Sequence, residues 1–297
     1  VEVTENFGLP ADSVTDVDES TEFYWDVLDL IGQFVADEVA PHAAQLDREG
    51  IDFIDGEPTF PKRLESIFKK LDALEIHGMA IPQELGGQNM PLTVAMLQTE
   101  LFARADPSVT THFSFIGGMA MIMLAYSVEE GTTTFDPETG AITGTRFSKE
   151  ISEIVSGTAW GSMDITEPNA GSDMAQLRCR AEQDEHGNWF VTGQKIFITS
   201  GHGKYHFVIA RSEFAPDGGA DTGLEGLSIF LVPAYTEDED GNRTRTVMVD
   251  RVEEKMGHHA SPTCSVVFDR SPGYLVGKRG EGFRYMLTLM NHARIGV

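Results

Sequence analysis

The hydrophobic period of this chain changes twice along its length, and no other feature restricts its possible folds as strongly. From Phe23 to about Gly157 large apolar residues recur at three- and four-residue steps, the spacing of one face of a helix. After Gly157 they alternate with polar residues, the spacing of a half-buried strand. From Gly280-Glu-Gly-Phe283 the helical step returns. Helices, then strands, then a helix imply an α+β multidomain protein. The expected parts are an acidic arm and helical bundle over 1–157, a β-domain over 158–278, and the start of a further helical domain over 279–297.

Within the first part, Phe23, Val27, Leu30, Ile31 and Phe34 mark a helix that Pro41 is expected to stop. Leu64, Ile67, Phe68, Leu71 and Leu74 mark a second between Pro61 and Leu74. Pro82-Gln-Glu-Leu-Gly-Gly87 reads as a turn, and Pro91 opens a third helix through Leu101. Asp106-Pro107 starts a fourth, and its Met119–Tyr126 stretch is apolar nearly all round, as in the central helix of a bundle. The Thr-, Gly- and acid-rich Glu129–Arg146 stretch predicts an exposed excursion, followed by a short helix over Ser148–Val155.

In the second part Leu177, Cys179 and Ala181 alternate, Asp184-Glu-His-Gly-Asn188 is a turn, and Trp189 and Val191 alternate. Thr192-Gly-Gln194 reads as another turn before Ile196 and Ile198. Further strands are expected at His206–Arg211, Leu227–Val232, Thr244–Val249 and Cys264–Phe268, with polar loops over Glu213–Glu225 and Thr236–Arg243. Short strands with Gly-rich turns imply an antiparallel barrel or sandwich. Phe283, Met286, Leu287 and Met290 then mark a helix that runs to Val297 without a cap, which favours a fragment over one subunit whose partner supplies the rest.

With 22 basic against 47 acidic residues the formal charge is −25, which opposes a nucleic-acid surface. Two cysteines, Cys179 and Cys264, make neither a disulfide framework nor a metal cluster and are expected as buried free thiols. His202 and His206 are four apart, but Gly201 and Gly203 rule out a zinc-binding helix, so both are expected at the surface. The His258-His259 pair reads as a loop, and Gly277-Lys-Arg-Gly-Glu-Gly282 as a turn. No metal site is expected. No run reaches the eighteen or so apolar residues of a membrane span. The acidic N-terminus lacks a basic leader, and the expected compartment is the cytoplasm.

Two segments carry the chemistry: Ile165-Thr-Glu-Pro-Asn-Ala-Gly-Ser-Asp173 and Gly193-Gln-Lys-Ile-Phe-Ile-Thr-Ser-Gly201. The first supplies hydroxyls and backbone amides beside an apolar strand; the second sets an aromatic, Phe197, two residues before a hydroxyl, Thr199. A flat redox-active ring needs an apolar face to lie on and a few donors for its heteroatoms. In this order the pair resembles the flavin-binding signature of the acyl-CoA dehydrogenase family. Pro82–Gln88, Lys255–Cys264, Tyr274–Gly277 and Met290–Gly296 support the resemblance, which covers the chain from about Phe23 onward. The Lys-Met-Gly…Ser-Pro-Thr-Cys form is most similar to the long branch that includes methylthiopropanoyl-CoA dehydrogenases.

The resemblance implies FAD as cofactor, an acyl-CoA substrate, an electron-transfer flavoprotein as acceptor, and a homo-oligomer, dimer or tetramer. Met163, Ile165, Thr166 and Ser172 would border the flavin from the first segment, with Thr166 on the pyrimidine side and Ser172 also near the CoA portion. From the second, Phe197 would lie against the flavin face away from the substrate, where many relatives carry tryptophan. Its neighbour Ile198 belongs to the same contact set, and Thr199 would place its hydroxyl near N5. Asn291 and Arg294, one turn apart, match positions that line the acyl-CoA cleft. Met163 departs from the family pattern, in which a larger side chain is usual. The family's catalytic base is a glutamate, in most members within the C-terminal helical domain and in a minority immediately before the arginine. Ala293 stands at the latter position, so no catalytic residue is assigned. The rival readings are an acyl-CoA oxidase, which reoxidises its flavin with oxygen, and a non-catalytic flavin-binding relative.

Overall fold

The protein is described by a computed structural model that covers residues 17–214, 222–238 and 240–296. Residues 1–16 of the acidic arm expected over the first twenty, and part of the Glu213–Glu225 loop, fall outside these residues; the last four residues of that arm belong to the first helix. The chain divides into two compact units, one containing Lys62–Thr158 and the segment through Arg48, the other Glu49–Pro61 and Ala159–Ile295.

The helical unit holds α1 (Val17–Phe34), α2 (Ala43–Glu49, at its edge), α3 (Lys62–Ala73), α4 (Leu92–Ala105), α5 (Pro107–Glu129) and α6 (Ser148–Val155). Pro41 does not stop the first helical run. After α1 the backbone widens into a π turn over Val35–Val39, tightens into a 3₁₀ turn over Ala40–His42, and resumes as α2. Proline at the start of a new helical turn costs little, because the N–H it lacks is one of the free donors there. Asp106 ends α4 and starts α5. Its amide donates to Phe102 O, while its carboxylate accepts from the amides of Ser108 (2.7 Å) and Val109 (3.3 Å).

The central helix α5 buries Met119, Ala120, Ile122, Met123 and Tyr126, and packs against α4 and α6. It corrects the expectation that no stretch is long enough to cross a membrane: by length and composition α5 is, with 61% of its most apolar window buried inside the fold. The Glu129–Arg146 excursion contains a small hairpin, β3 (Thr134–Phe135) with β4 (Ile142–Gly144).

The second unit begins with a hairpin absent from the sequence reading, β1 (Asp52–Ile54) with β2 (Glu57–Thr59). Glu57 accepts from Tyr235 Oη (3.1 Å) and pairs with Arg245, so this segment belongs with the strands although helices flank it in sequence. The strands that follow are β5 (Gly161–Asp164), β6 (Arg180–Gln183), β7 (Trp189–Thr199), β8 (Tyr205–Arg211), β9 (Leu227–Pro233), β10 (Tyr235–Glu237), β11 (Arg243–Arg245), β12 (Val247–Val252) and β13 (Thr263–Val276). Thr236, Glu237 and Arg243, expected in a loop, are thus paired residues of the β10–β11 hairpin. The strand expected over Thr244–Val249 is divided between β11 and β12.

Strands β13, β7, β6, β8 and β9 close on one another as a barrel, with β12 flanking β13 and β5 flanking β8. Closure depends on the fourteen residues of β13. Cys264–Phe268 pair with β12, and Tyr274–Val276 pair with β9. The change of partner follows a kink at Arg270, where φ is +50° and the register shifts. Such bulges bend a strand and let it serve two sheets. The barrel is not wholly antiparallel as expected, since β5 and β6 both pair with β8 in parallel. Val191, Ile198, Val208, Ala210, Phe230, Val232, Val266 and Phe268 fill its core with both free cysteines. The last helix, α7 (Gly282–Gly296), buries Tyr285, Met286 and Leu289.

Candidate functional site

The two signature segments come together on the barrel. The expected turn at Thr192-Gly193-Gln194 does not exist; β7 runs straight through it. Gly193 makes this possible, at φ +150° and with its α-carbon against Cys179. A methyl group there would stand 2.9 Å from both Cα and Sγ of Cys179. Farther along β7, Lys195 pairs with Val266 and Ile198 with Cys264, so Ile196 and Phe197 together oppose Ser265 alone. This is a β-bulge, and Phe197 takes the left-handed conformation within it, at φ +59°.

The bulge decides which side chains face where. Lys195 and Ile198 both turn inward, fully buried, while Phe197 between them is 60% exposed and Thr199 is half-buried. A bulky aromatic at positive φ with its ring in the open is costly and persists only where the surroundings dictate it. Ile198 sits in the barrel core, so its side chain is not part of the exposed surface beside Phe197.

The first segment leaves β5 at Asp164 and is held against β7 at three points. Ile196 N donates to Thr166 O at 2.8 Å. The Lys195 ammonium donates to Ile165 O at 2.9 Å and to Glu167 Oε1 at 2.8 Å. Glu167 in turn accepts from the amides of Arg178 (2.7 Å) and Cys179 (2.9 Å). Lys195 is 0% and Glu167 7% exposed, so the pair sits in a low-dielectric interior, where removing one partner strands a charge at a cost of about 3–5 kcal/mol. Met163 is buried on β5; Ile165 and Thr166 are half-buried; Ser172 is exposed at the outer end of the loop.

Beyond Ser172, Asp173 caps the 3₁₀ turn Met174–Gln176. The buried Arg211 guanidinium then ties that region down, donating to Ala175 O, Leu177 O, Gly223 O and Thr222 Oγ1. Asn291 and Arg294 lie exposed on α7 and bond each other, Nη1 to Oδ1 at 3.2 Å.

Burial pushes the thiols of Cys179 and Cys264 up to about 12. The two histidines are not surface residues. His202 packs edge-on against Phe60 and Trp160, and burial lowers it to about 3. His206 is buried on β8 against Asp164. Gly201 and Gly203 shape the turn around His202 as a close-packed corner, and glycine spacing alone does not distinguish that from an exposed loop. Among the described residues no cluster of three or more His, Cys, Asp or Glu could hold a metal.

Lys195, Arg211 and Asp164 were not singled out from sequence, Glu167 was read only as part of its segment, and His206 was expected at the surface. Lys195 left one signal: counted along β7 it has the inward parity of Val191, where a lysine needs a carboxylate partner.

An exposed aromatic face flanked by Thr166, Thr199 and the backbone of a clamped loop fits a planar heteroaromatic group such as a flavin. Comparison with known proteins bears on the same segments. Residues 21–135 match the acyl-CoA dehydrogenase N-terminal domain, and residues 162–271 match the acyl-CoA dehydrogenase middle domain. The chain belongs to the acyl-CoA dehydrogenase family. It is 30% identical to a 3-methylmercaptopropionyl-CoA dehydrogenase of Ruegeria pomeroyi, over 91% of this chain and 44% of that protein. It is 33% identical to a broad-specificity linear acyl-CoA dehydrogenase of Mycobacterium tuberculosis, over 78% of this chain and 37% of that one. The chain thus spans less than half the length of these two curated relatives. Butyryl-CoA dehydrogenase from Megasphaera elsdenii shares the fold at a TM-score of 0.72 and 24% identity, covering 93% of this chain and 63% of that one.

Proposed function

We propose that this chain carries the flavin- and thioester-binding part of an FAD-dependent acyl-CoA dehydrogenase, which introduces an α,β double bond into an acyl-CoA. The observation that carries this reading is the exposed Phe197 ring, held at positive φ beside a loop clamped by a buried ion pair. A bound flavin supplies the hydride acceptor for the β-hydrogen.

The residues of the chain bind and orient. Phe197 offers the ring an apolar face. Thr166 and Thr199 offer hydroxyls to its polar edge, and Met163 and Ile165 close the strand side. Ser172 stands where the flavin and CoA portions meet, and Asn291 with Arg294 line the thioester side. Lys195 and Glu167 touch neither ligand in this reading; they hold the loop at its height above β7. We assign no base to the chain, because Ala293 has no proton-accepting group. The electron acceptor is proposed to be an electron-transfer flavoprotein and the working form a homo-oligomer. Oxygen uptake during turnover would favour the oxidase reading instead.

The test is anaerobic titration of the purified chain with FAD, followed by a panel of acyl-CoAs. Binding below about 100 μM, with the flavin band sharpened by an apolar site, is expected. Thioesters should perturb that band without bleaching it unless a carboxylate base is supplied. Absence of FAD binding at that concentration would sink the assignment for this chain.

A further inference from the structure

A second buried polar cluster lies where the signature loop leaves β5. Ser162 and Asp164 are two apart on β5 and share a face, and Ser162 is the register partner of His206 on β8. The three side chains meet inside the protein, none of them more than 1% exposed. Ser162 Oγ donates to Asp164 Oδ1 at 2.6 Å. His206 Nδ1 lies 2.9 Å from Asp164 Oδ2 and 3.0 Å from Ser162 Oγ. On the far side of the ring, His206 Nε2 lies 3.1 Å from Gly203 O.

These contacts fix the proton count. A carbonyl oxygen only accepts, so Nε2 carries a hydrogen. The single Ser162 hydrogen is spent on Oδ1. One further hydrogen must therefore lie between Nδ1 and Asp164 Oδ2, or two lone pairs would face each other in a dry interior, an arrangement native structures avoid. Placed on Nδ1, it makes an imidazolium bonded to a carboxylate.

The location gives the pair a task. β5 has four residues, lies at the edge of the sheet and, among the described residues, pairs with β8 alone. The loop bearing Ile165 and Thr166 begins at the next residue after Asp164. Its far end is held through Glu167 and Lys195 to β7. Its near end has the Asp164–His206 link to β8.

We propose that Asp164 and His206 form a buried ion pair that positions the near end of the flavin loop. The pair complements the Lys195–Glu167 clamp and contacts no ligand. The role rests on the functional reading above, but its test does not require bound flavin.

Selective ¹⁵N labelling of histidine in the wild-type chain near neutral pH should show hydrogens on both nitrogens of His206. A ring bearing one hydrogen overturns the ion pair without any variant. Amide hydrogen exchange then tests positioning through the Ile196 amide, which donates to Thr166 O. In Asp164→Ala this amide should exchange about tenfold faster while the β8–β9 ladder keeps its protection, the pattern of local opening. In Asp164→Asn, which can still bond both Ser162 and His206, most of that protection should return and His206 should lose one ring hydrogen. Uniform acceleration across the barrel, or none at Ile196, rejects the positioning role. If Asp164→Ala fails to fold, the Asn variant decides: Ile196 exchange as fast as that of an unprotected loop amide rejects it. An intact pair in a chain that binds no FAD would refute the functional reading and leave the loop anchor in place.

Discussion

Phe197 shows how much one backbone angle can decide. Without the bulge, alternation along β7 would turn Phe197 inward with Lys195, and Ile196 and Ile198 outward. With the bulge, Lys195 and Ile198 both face in and Phe197 faces out. Phe197→Ala should therefore leave the fold nearly untouched, since an exposed ring contributes little to the core. FAD affinity measured by fluorescence quenching should fall about tenfold, the loss of one good aromatic contact. Equal affinity in the variant would show that the ring lies elsewhere. Lys195→Met is the opposite case. It strands the Glu167 carboxylate in the interior and should lower unfolding stability by about 3 kcal/mol. Pairing it with Glu167→Gln should recover part of that loss, because the stranded charge is gone. Equal stability of the two variants would mean that the ion pair does not hold the loop.

Both cysteines belong to the same scale. Buried thiols raised to about 12 have almost no thiolate at pH 8. In the folded chain neither should react with a disulfide reagent over minutes, and two should react in denaturant. Rapid labelling of one thiol in the native state would show that the barrel opens locally.

At the scale of elements, periodicity reported most helices because an amphipathic helix shows one apolar stripe. The α6 range Ser148–Val155 follows directly from its spacing, and α5 is central for the reason its all-round apolarity implies. The strands were less evenly legible. β8 and β9 lie within a residue of the expected His206–Arg211 and Leu227–Val232, because a short apolar run marks a strand buried on both faces. The single strand expected over Thr244–Val249 instead divides between two pairings, with β10 and with β13. The break expected at Gly193 fails for a different reason. Glycine marks turns and close approaches alike, and here the approach is Cys179 of the neighbouring chain segment. Gly193→Ala should cost about 2 kcal/mol or more, through the contact and the strained angle. Denaturant unfolding should show this as a lower midpoint. A midpoint within error of the wild type would mean that β6 can shift aside freely.

For the whole molecule, two compact units predict two resolvable calorimetric transitions rather than one. Acid should affect both. Burial lowers His202 to about 3, and burial also lowers His77 in the helical unit below its ordinary value. Each is neutral in the fold, while the unfolded chain takes up a proton below about pH 6.5. Their contribution is complete above that pH. For His202 it declines as the pH falls from about 6.5 toward 3, at a limiting slope of about 1.4 kcal/mol per pH unit. His202→Phe, which keeps an aromatic ring between Phe60 and Trp160, should relieve the acid sensitivity of one transition only. If both transitions shift together in that variant, the units do not unfold separately.

The local period of apolar residues and the two signature segments determined the order of helices and strands and the kind of barrel-forming domain, and they singled out Thr166, Phe197 and Thr199. All of these depend on neighbours close in sequence, or on a motif whose spacing is itself the signal. Only the tertiary structure decided that the Asp52–Thr59 hairpin joins the strands, that β13 closes the barrel by changing partners, and that Lys195, Arg211 and His206 are buried with specific partners. A lysine, an arginine or a histidine reads as polar wherever it stands. What makes it structural is the oxygen that another strand or loop, 28 to 44 residues away, brings within hydrogen-bond distance of it.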